Sequence, residues 1–220
     1  MTKRAEIPTK EDLAEFRRPE DLCIMVEPDR LGISDETFFN ETSQGLHQKL
    51  REAWVLARLG ISINHAISPV LVSVVDGPLL DGILRFHDSS EWEIEAVTVN
   101  RPGRRPGEEY RGGRRPQQPL SDFSGEPSDP SWPRGPILGK VHKVQRQRVK
   151  RHLVAYLNYG GGVPDLTRVA KAVLEAEGTF EMVWLLTGSA FAALFARIKV
   201  RHPVGKWQSY SEWLPEECSP

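Results

Sequence analysis

The sequence predicts a single α/β domain in which helices flank a mixed central sheet, in the order helix, three strands, helix, strand, helix and two strands. Two observations support this fold class. A long helical pattern precedes three β-branched apolar runs, and helical and strand patterns alternate after them. With 220 residues, the chain is long enough for one ordinary core and too short for two.

Residues 1–33 are expected to form an arm, because they mix charged residues and three prolines, and only the short apolar patch from Leu22 to Val26 could dock on a core. The first helix is predicted from Ser34 to Gly60. Ser34 is a favourable N-cap, apolar residues recur at helical spacing after it, and Gly60 is a residue that commonly ends a helix. The folded domain is therefore expected to begin near residue 34.

Three strands are predicted next, in the runs SPVLVSVVDGP, LLDGILRFHD and EWEIEAVTV. The polar pair Ser89 and Ser90 joins the last two runs into a hairpin. Residues 101–136 contain eight prolines and six glycines, so a long arginine-rich loop is expected there rather than a regular element.

A very basic helix is predicted to follow this loop, opening at Ile137 and including the segment KVHKVQRQRVKRH at 140–152. The run LVAYLNY is then predicted to form a buried strand, and residues 165–178 are predicted to form a helix. EMVWLLTG and SAFAALFARI are expected to form a final strand pair, although the alanines of the second segment are also compatible with a helix. The domain would end near residue 202, and residues 203–220 would form an aromatic tail that wraps the core.

Charge is divided unevenly along the chain. Residues 1–100 carry 18 acidic and 10 basic side chains, whereas residues 101–220 carry 12 acidic and 19 basic ones. This division predicts a basic surface that meets a polyanion or, alternatively, mutual neutralisation within one fold.

Several classes of protein are excluded by simple counts. Two cysteines, Cys23 and Cys218, cannot form a disulfide framework or a zinc site built mainly of thiolates. No apolar run approaches the roughly 18 residues that a membrane-spanning helix needs, and the N-terminus lacks the apolar core of a secretory signal. A cytoplasmic location is therefore expected.

Paired carboxylates are the pattern in the sequence that indicates a functional site most specifically. Asp81 lies at the start of the second strand and Glu95 on the third, so the hairpin would bring them into register, while Glu52 on the first helix could supply a third carboxylate. Such oxygen ligands suit Mg²⁺ or Mn²⁺. The alternative is purely structural, with Asp81 capping the hairpin and Glu95 paired with a buried arginine.

A leading helix, an acid on the second strand and another on the third resemble the restriction-endonuclease-like superfamily, whose motif is PD-(D/E)XK. The resemblance implies a nuclease core in which Asp81 and Glu95 bind metal and a lysine steadies the attacking water. Val97 stands where the motif has its lysine, and Leu80 where it has its proline. Because this lysine migrates within the superfamily, Lys143 is a candidate catalytic lysine, with Lys150 as a second candidate.

The segments HQKLREAW at 47–54 and PGRRPGEEYR at 102–111 are similar to a set of bacterial proteins of uncharacterised function. This similarity extends from about residue 38 to residue 196. It implies relatives without implying an activity.

Basic side chains of the loop and the basic helix are candidates for contact with phosphate. They are Arg104, Arg105, Arg111, Arg146, Arg148 and Lys150. The alternative is a solvated basic face, or one that neutralises the acidic N-terminal residues.

The function expected from these patterns is metal-dependent hydrolysis of phosphodiester bonds, with nucleic acid as the partner and Mg²⁺ or Mn²⁺ as the cofactor. A homodimer is compatible with this expectation. The alternative function is that of a catalytically inactive nuclease-like fold, acting as a nucleic-acid-binding or protein-assembly module. Val97, at the position of the missing lysine, is the main support for that alternative.

Overall fold

The computed structural model describes residues 6–27, 31–34, 37, 45–77, 80–100, 134–144, 151–158, 180–187, 193–197 and 208–209. The helices within them are α1 (Lys10–Ala14), α2 (Pro19–Met25), α3 (Leu46–Ala66) and α4 (Arg134–Val144). The strands are β1 (Val70–Val74), β2 (Gly82–Phe86), β3 (Glu91–Asn100), β4 (Arg151–Asn158), β5 (Phe180–Thr187), β6 (Ala193–Arg197) and β7 (Gln208–Ser209). None of the helices found in this part of the chain is long and apolar enough to cross a membrane.

The seven strands form one sheet in sequence order, β1 to β7. Strands β1, β2 and β3 are antiparallel neighbours, β4 runs parallel to β3, and β5 runs parallel to β4. The last two strands return to antiparallel pairing. The predicted α/β class and mixed sheet are therefore confirmed.

Helix α3 packs on one face of this sheet through a mostly apolar contact. Leu50, Leu56 and Ile63 of the helix are completely buried in the cluster that includes Val72 and Ile94 of the sheet. A Cβ atom on Gly82 would lie only 2.4 Å from Leu56 Cδ1, so helix and sheet touch where the sheet has no side chain.

The bounds of this helix differ from the prediction. Helix α3 begins at Leu46, because Gly45 is extended with φ −72° and ψ 161°, and it continues to Ala66. Gly60 lies inside the helix rather than at its end. A Cβ atom there would meet Pro19 and Val72 side-chain atoms at 2.8 Å, so the glycine serves close packing. Residues 35–36 and 38–44 lie outside the described part of the predicted helix.

The N-terminal segment expected to be an arm contains two short helices that fold onto α3 and β1. Leu13, Leu22 and Val26 are buried in the main core. Arg17 and Val72 exchange two backbone hydrogen bonds, of 2.9 and 2.8 Å, which pair this segment with the free edge of the sheet. The apolar residues of the segment are few, but they recur at the positions that face the core.

Helix α4 covers the opposite face of the sheet. Side chains alternate along β3, so Ile94 points toward α3 and Glu95 points toward α4, where Lys140 contacts it. The bounds of this helix differ from the prediction: it begins at Arg134, within the predicted loop, its described part ends at Val144, and Arg151 and His152 belong to β4. Both are buried and pair with β5, and His152 also pairs with β3.

The remaining elements agree with the sequence where the structure describes them. The strand pair β5 and β6 forms as predicted. The predicted helix at 165–178 lies outside the described residues, as does the arginine-rich loop up to residue 133. Of the C-terminal tail, Gln208 and Ser209 are described, and they pair with β6.

Candidate functional site

Asp81, directly before β2, lies next to Glu95 of β3. The backbone amide of Asp81 donates a hydrogen bond of 3.1 Å to the carbonyl of Ile94. Its carboxylate Oδ2 in turn accepts a hydrogen bond of 2.7 Å from the backbone amide of Ala96. These two bonds hold Asp81 against the strand segment that carries Glu95, as the hairpin predicts.

Lys140 of α4 brings an ammonium group between these two carboxylates. Its Nζ atom lies 2.9 Å from Glu95 Oε2 and 3.9 Å from Asp81 Oδ2. The predicted lysine was Lys143, one turn further along the helix, whose side chain lies outside the described residues. Sequence reasoning missed Lys140, although it is the first charged residue of the same basic segment and could have been found by considering every lysine on the helix.

Arg151, the first residue of β4, approaches Glu95 from the neighbouring strand. Its Nη1 atom lies 3.3 Å from Glu95 Oε1, and its Nε atom lies 2.8 Å from Glu93 Oε2. The alternative expected from the sequence, in which Glu95 pairs with a buried arginine, therefore describes one of the two cationic contacts of Glu95.

Burial determines the electrostatics of this cluster. The Glu95 side chain is 3% exposed, whereas the Lys140 side chain is 24% exposed. Burial raises the pKa of Glu95 above its ordinary value, and the nearby Asp81 carboxylate adds to this rise, while Lys140 and Arg151 oppose it. The cluster thus contains a carboxylate that is costly to ionise and needs cations beside it.

Glu52, the third candidate ligand, has other partners in the structure. Its carboxylate accepts hydrogen bonds of 2.7 Å from Lys49 Nζ and 2.8 Å from Gln48 Nε2. The buried Lys49 also donates to the carbonyl of Val75 at 3.0 Å. Glu52 belongs to α3, the helix on the other side of the sheet from α4. The described contacts of Glu52 hold Lys49, and Lys49 in turn binds the carbonyl of Val75, directly after β1.

Asp81 and Glu95 fit a hard divalent cation in their chemistry. Among the described residues, no group of three or more His, Cys, Asp or Glu side chains is placed to hold a metal ion. Mg²⁺, however, is commonly bound through one or two carboxylates, with water and substrate phosphate completing the coordination. The number and type of the two acids are therefore compatible with Mg²⁺.

The candidate phosphate contacts Arg104, Arg105, Arg111, Arg146, Arg148 and Lys150 all lie outside the described residues. Comparison of the chain with models of protein families, with curated proteins and with solved structures found no match.

Proposed function

We propose that this chain is a metal-dependent nuclease that hydrolyses phosphodiester bonds. The observation that carries the proposal is the position of Lys140 Nζ, 2.9 Å from Glu95 and 3.9 Å from Asp81. Two acids and one lysine at a single point provide the ligands of a hard cation and a positive charge for a phosphate in reaction. Val97 leaves the motif without its usual lysine, and Lys140 supplies one from a different element.

The order of elements supports this proposal. Helix α3, three antiparallel strands, helix α4 and the parallel strand β4 follow one another in an order that resembles the core of the restriction-endonuclease-like superfamily. Asp81 and Glu95 match the two acids of the superfamily motif. Since one fold hosts many functions, the cluster of side chains carries more weight than the topology.

Each residue has a distinct proposed role. Asp81 and Glu95 would hold Mg²⁺ or Mn²⁺, which when bound lowers the pKa of a water molecule and neutralises charge on the phosphate. Lys140 would bind a phosphate oxygen and stabilise the charge that builds there. Arg151 would keep the Glu95 carboxylate oriented from its position on the rigid strand β4.

Nucleic acid is the proposed substrate, bound through its phosphates by the basic residues of 101–150. Contacts of this kind make affinity fall steeply with salt and carry little base specificity. Both DNA and RNA in the cytoplasm are compatible with such binding. The proposal also includes a homodimer.

A specific observation favours a second candidate function. Both carboxylate oxygens of Glu95 have a cationic partner within the chain, Lys140 on one and Arg151 on the other. The cluster can therefore be neutralised without metal, as would suit an inactive nuclease-like fold that serves as a nucleic-acid-binding or protein-assembly module.

Cleavage assays on single variants separate the two functions. Purified wild type, Asp81→Asn, Glu95→Gln and Lys140→Met are incubated with mixed DNA and RNA in Mg²⁺, in Mn²⁺ and in a chelator. We expect metal-dependent cleavage by the wild type and a loss of about 100-fold or more in each variant. Glu91→Gln is the matched control, because Glu91 lies on the same strand in an exposed pair with Arg85.

Cleavage that survives in Asp81→Asn and Glu95→Gln would refute the proposed site. A wild type that binds nucleic acid in a filter assay without cutting it, in any of the metals, would refute the nuclease and support the binding module.

A further inference from the structure

We propose that Lys140 is an internal counter-ion that competes with a divalent cation for Asp81 and Glu95, and so sets the metal affinity of the site. This inference rests on the proposed function. It adds to that function a property of the metal-free protein, namely that a protein charge must leave before the metal binds.

The contacts of Lys140 place it in direct competition with a metal. Its ammonium contacts Glu95 Oε2 and lies within 4 Å of Asp81 Oδ2, the two side chains that would ligate the cation. In the part of the chain that the structure describes, Lys140 is the cation with a contact to both acids. It therefore occupies the position that joins the two carboxylates.

Burial explains why such a counter-ion is needed. The Glu95 side chain is 3% exposed, and an ionised carboxylate at such a position is strongly destabilising unless a cation pairs with it. Lys140 provides that cation. A divalent ion would provide the same compensation, but the two cations repel each other at this short range, so the arrival of one favours the departure of the other.

Lys140 is also able to leave. Its side chain is 24% exposed and extends from α4, and a flexible four-carbon stem allows the ammonium to swing toward solvent or toward a substrate phosphate. The phosphate is an alternative anionic partner for the same ammonium. The residue can thus leave Glu95 and still have a role in the reaction.

Arg151 is a poorer competitor, for geometric reasons. Its side chain is 11% exposed, and its shorter described contact is with Glu93 at 2.8 Å rather than with Glu95 at 3.3 Å. Arg151 can stay on Glu93 when a metal reaches Glu95. Its charge is therefore a constant feature of the site, whereas that of Lys140 is movable.

Calorimetric titration of Mg²⁺ and Mn²⁺ into the full-length protein, without nucleic acid, tests the proposal. We expect Lys140→Met to bind metal about tenfold more tightly than the wild type or better, because one positive charge is removed from beside the ion. Lys140→Arg keeps the charge and should stay near the wild-type affinity. Lys10→Met is the matched control, since Lys10 pairs with the exposed Asp76 elsewhere.

The same preparations are assayed for cleavage and for thermal unfolding. Tighter metal binding together with lost cleavage in Lys140→Met supports both roles of Lys140. If Lys140→Met fails to fold, Lys140→Gln takes its place in the titration, with the same expected increase.

Two outcomes overturn the inference, and they differ in what else they overturn. Metal binding that is equal or weaker in the neutral variants refutes the competition and leaves the nuclease proposal standing. No metal binding by the wild type or by any variant refutes the competition and the metal-dependent nuclease together.

Discussion

The two faces of the central sheet are built on opposite principles. On the α3 face, the contact is mostly apolar and so close that Gly60 and Gly82 have no room for a Cβ atom. On the α4 face, buried charges meet: Glu95 contacts Lys140 and Arg151, beside Asp81. Among the described residues, the α3 face has one buried ion pair, between Lys49 and Glu52 of the helix, whereas on the α4 face the strands themselves carry the buried charges of Glu95 and Arg151.

This difference separates stability from function. Apolar burial stabilises the fold at about 25 cal/mol per Å² of surface, whereas replacing a buried ion pair with apolar side chains is often neutral or stabilising. Buried carboxylates with a raised pKa occur both at functional sites and in structural ion-pair networks, and the raised pKa of Glu95 supports the role proposed for it. We therefore expect stability to depend mainly on the α3 face and the proposed nuclease activity mainly on the α4 face.

The largest expected effect comes from breaking the close contact on the α3 face. Gly82→Ala would place a Cβ atom 2.4 Å from Leu56 Cδ1 and 2.8 Å from the carbonyl oxygen of Ser73, which is backbone and cannot rotate away. Overpacking of this kind should lower the free energy of unfolding by about 2–3 kcal/mol, measured by urea denaturation. Gly77→Ala is the control, because its Cβ would have ordinary contacts at 3.7 Å or more. Equal stability of the two variants would show that the helix and sheet can move apart freely.

A smaller effect of opposite sign is expected from a glycine on the other side of the sheet. Gly139 lies inside α4, and a Cβ atom there would meet no described atom within 4 Å. Gly139→Ala should therefore raise the free energy of unfolding by about 0.5–1 kcal/mol, because it removes backbone freedom from the unfolded chain. A loss of stability in the same urea experiment would mean that α4 is closely packed at this position after all.

The smallest effect concerns the pH dependence of stability on the α4 face. Because the folded-state pKa of Glu95 is raised, the folded protein holds this proton more tightly than the unfolded chain does. The stabilisation that Glu95 gives the folded protein is therefore fully present below the pKa of Glu95 in the unfolded chain. It is lost as the pH rises through the pKa of Glu95 in the folded protein. Glu95→Gln should remove this decline, which urea denaturation over a series of pH values between about 4 and 7 would detect.

Asp12→Asn provides a control of opposite sign for the pH experiment. Hydrogen bonds from Thr9 lower the pKa of Asp12. The stabilisation that Asp12 gives the folded protein is therefore present above its pKa in the unfolded chain and is lost as the pH falls through its pKa in the folded protein. The two variants should change the pH slope in opposite directions. A Glu95→Gln profile parallel to that of the wild type would contradict the effect of burial on Glu95.

Much of the central hairpin was predictable from local sequence. Strands β1, β2 and β3 follow from β-branched apolar runs, and the period-two alternation in β3 separates Ile94 from Glu95. The placement of Asp81 beside Glu95 follows from the same pattern and a short turn. These features depend on neighbouring residues in the chain, which is why the sequence carries them.

Other features became visible only when distant segments met. Gly60 was expected to end a helix but lies within one, because Pro19 and Val72 approach it from elsewhere in the chain. The N-terminal residues were expected to form an arm in which only Leu22 to Val26 could dock, yet Leu13 also lies in the core. Neither outcome can be deduced from a local pattern, since glycine and isolated leucines are compatible with several structures.

By itself, the sequence determined the α/β class, the hairpin of β2 and β3, and the pair Asp81 and Glu95. Only the tertiary structure showed that Lys140 meets them. Lys140 and Lys143 are both on a basic helix, and their order in the chain does not say which one reaches the sheet. The contact of Lys140 depends on how α4 is rotated and positioned on β3. Packing between distant segments sets this position, since Glu95 and Lys140 are 45 residues apart in the chain.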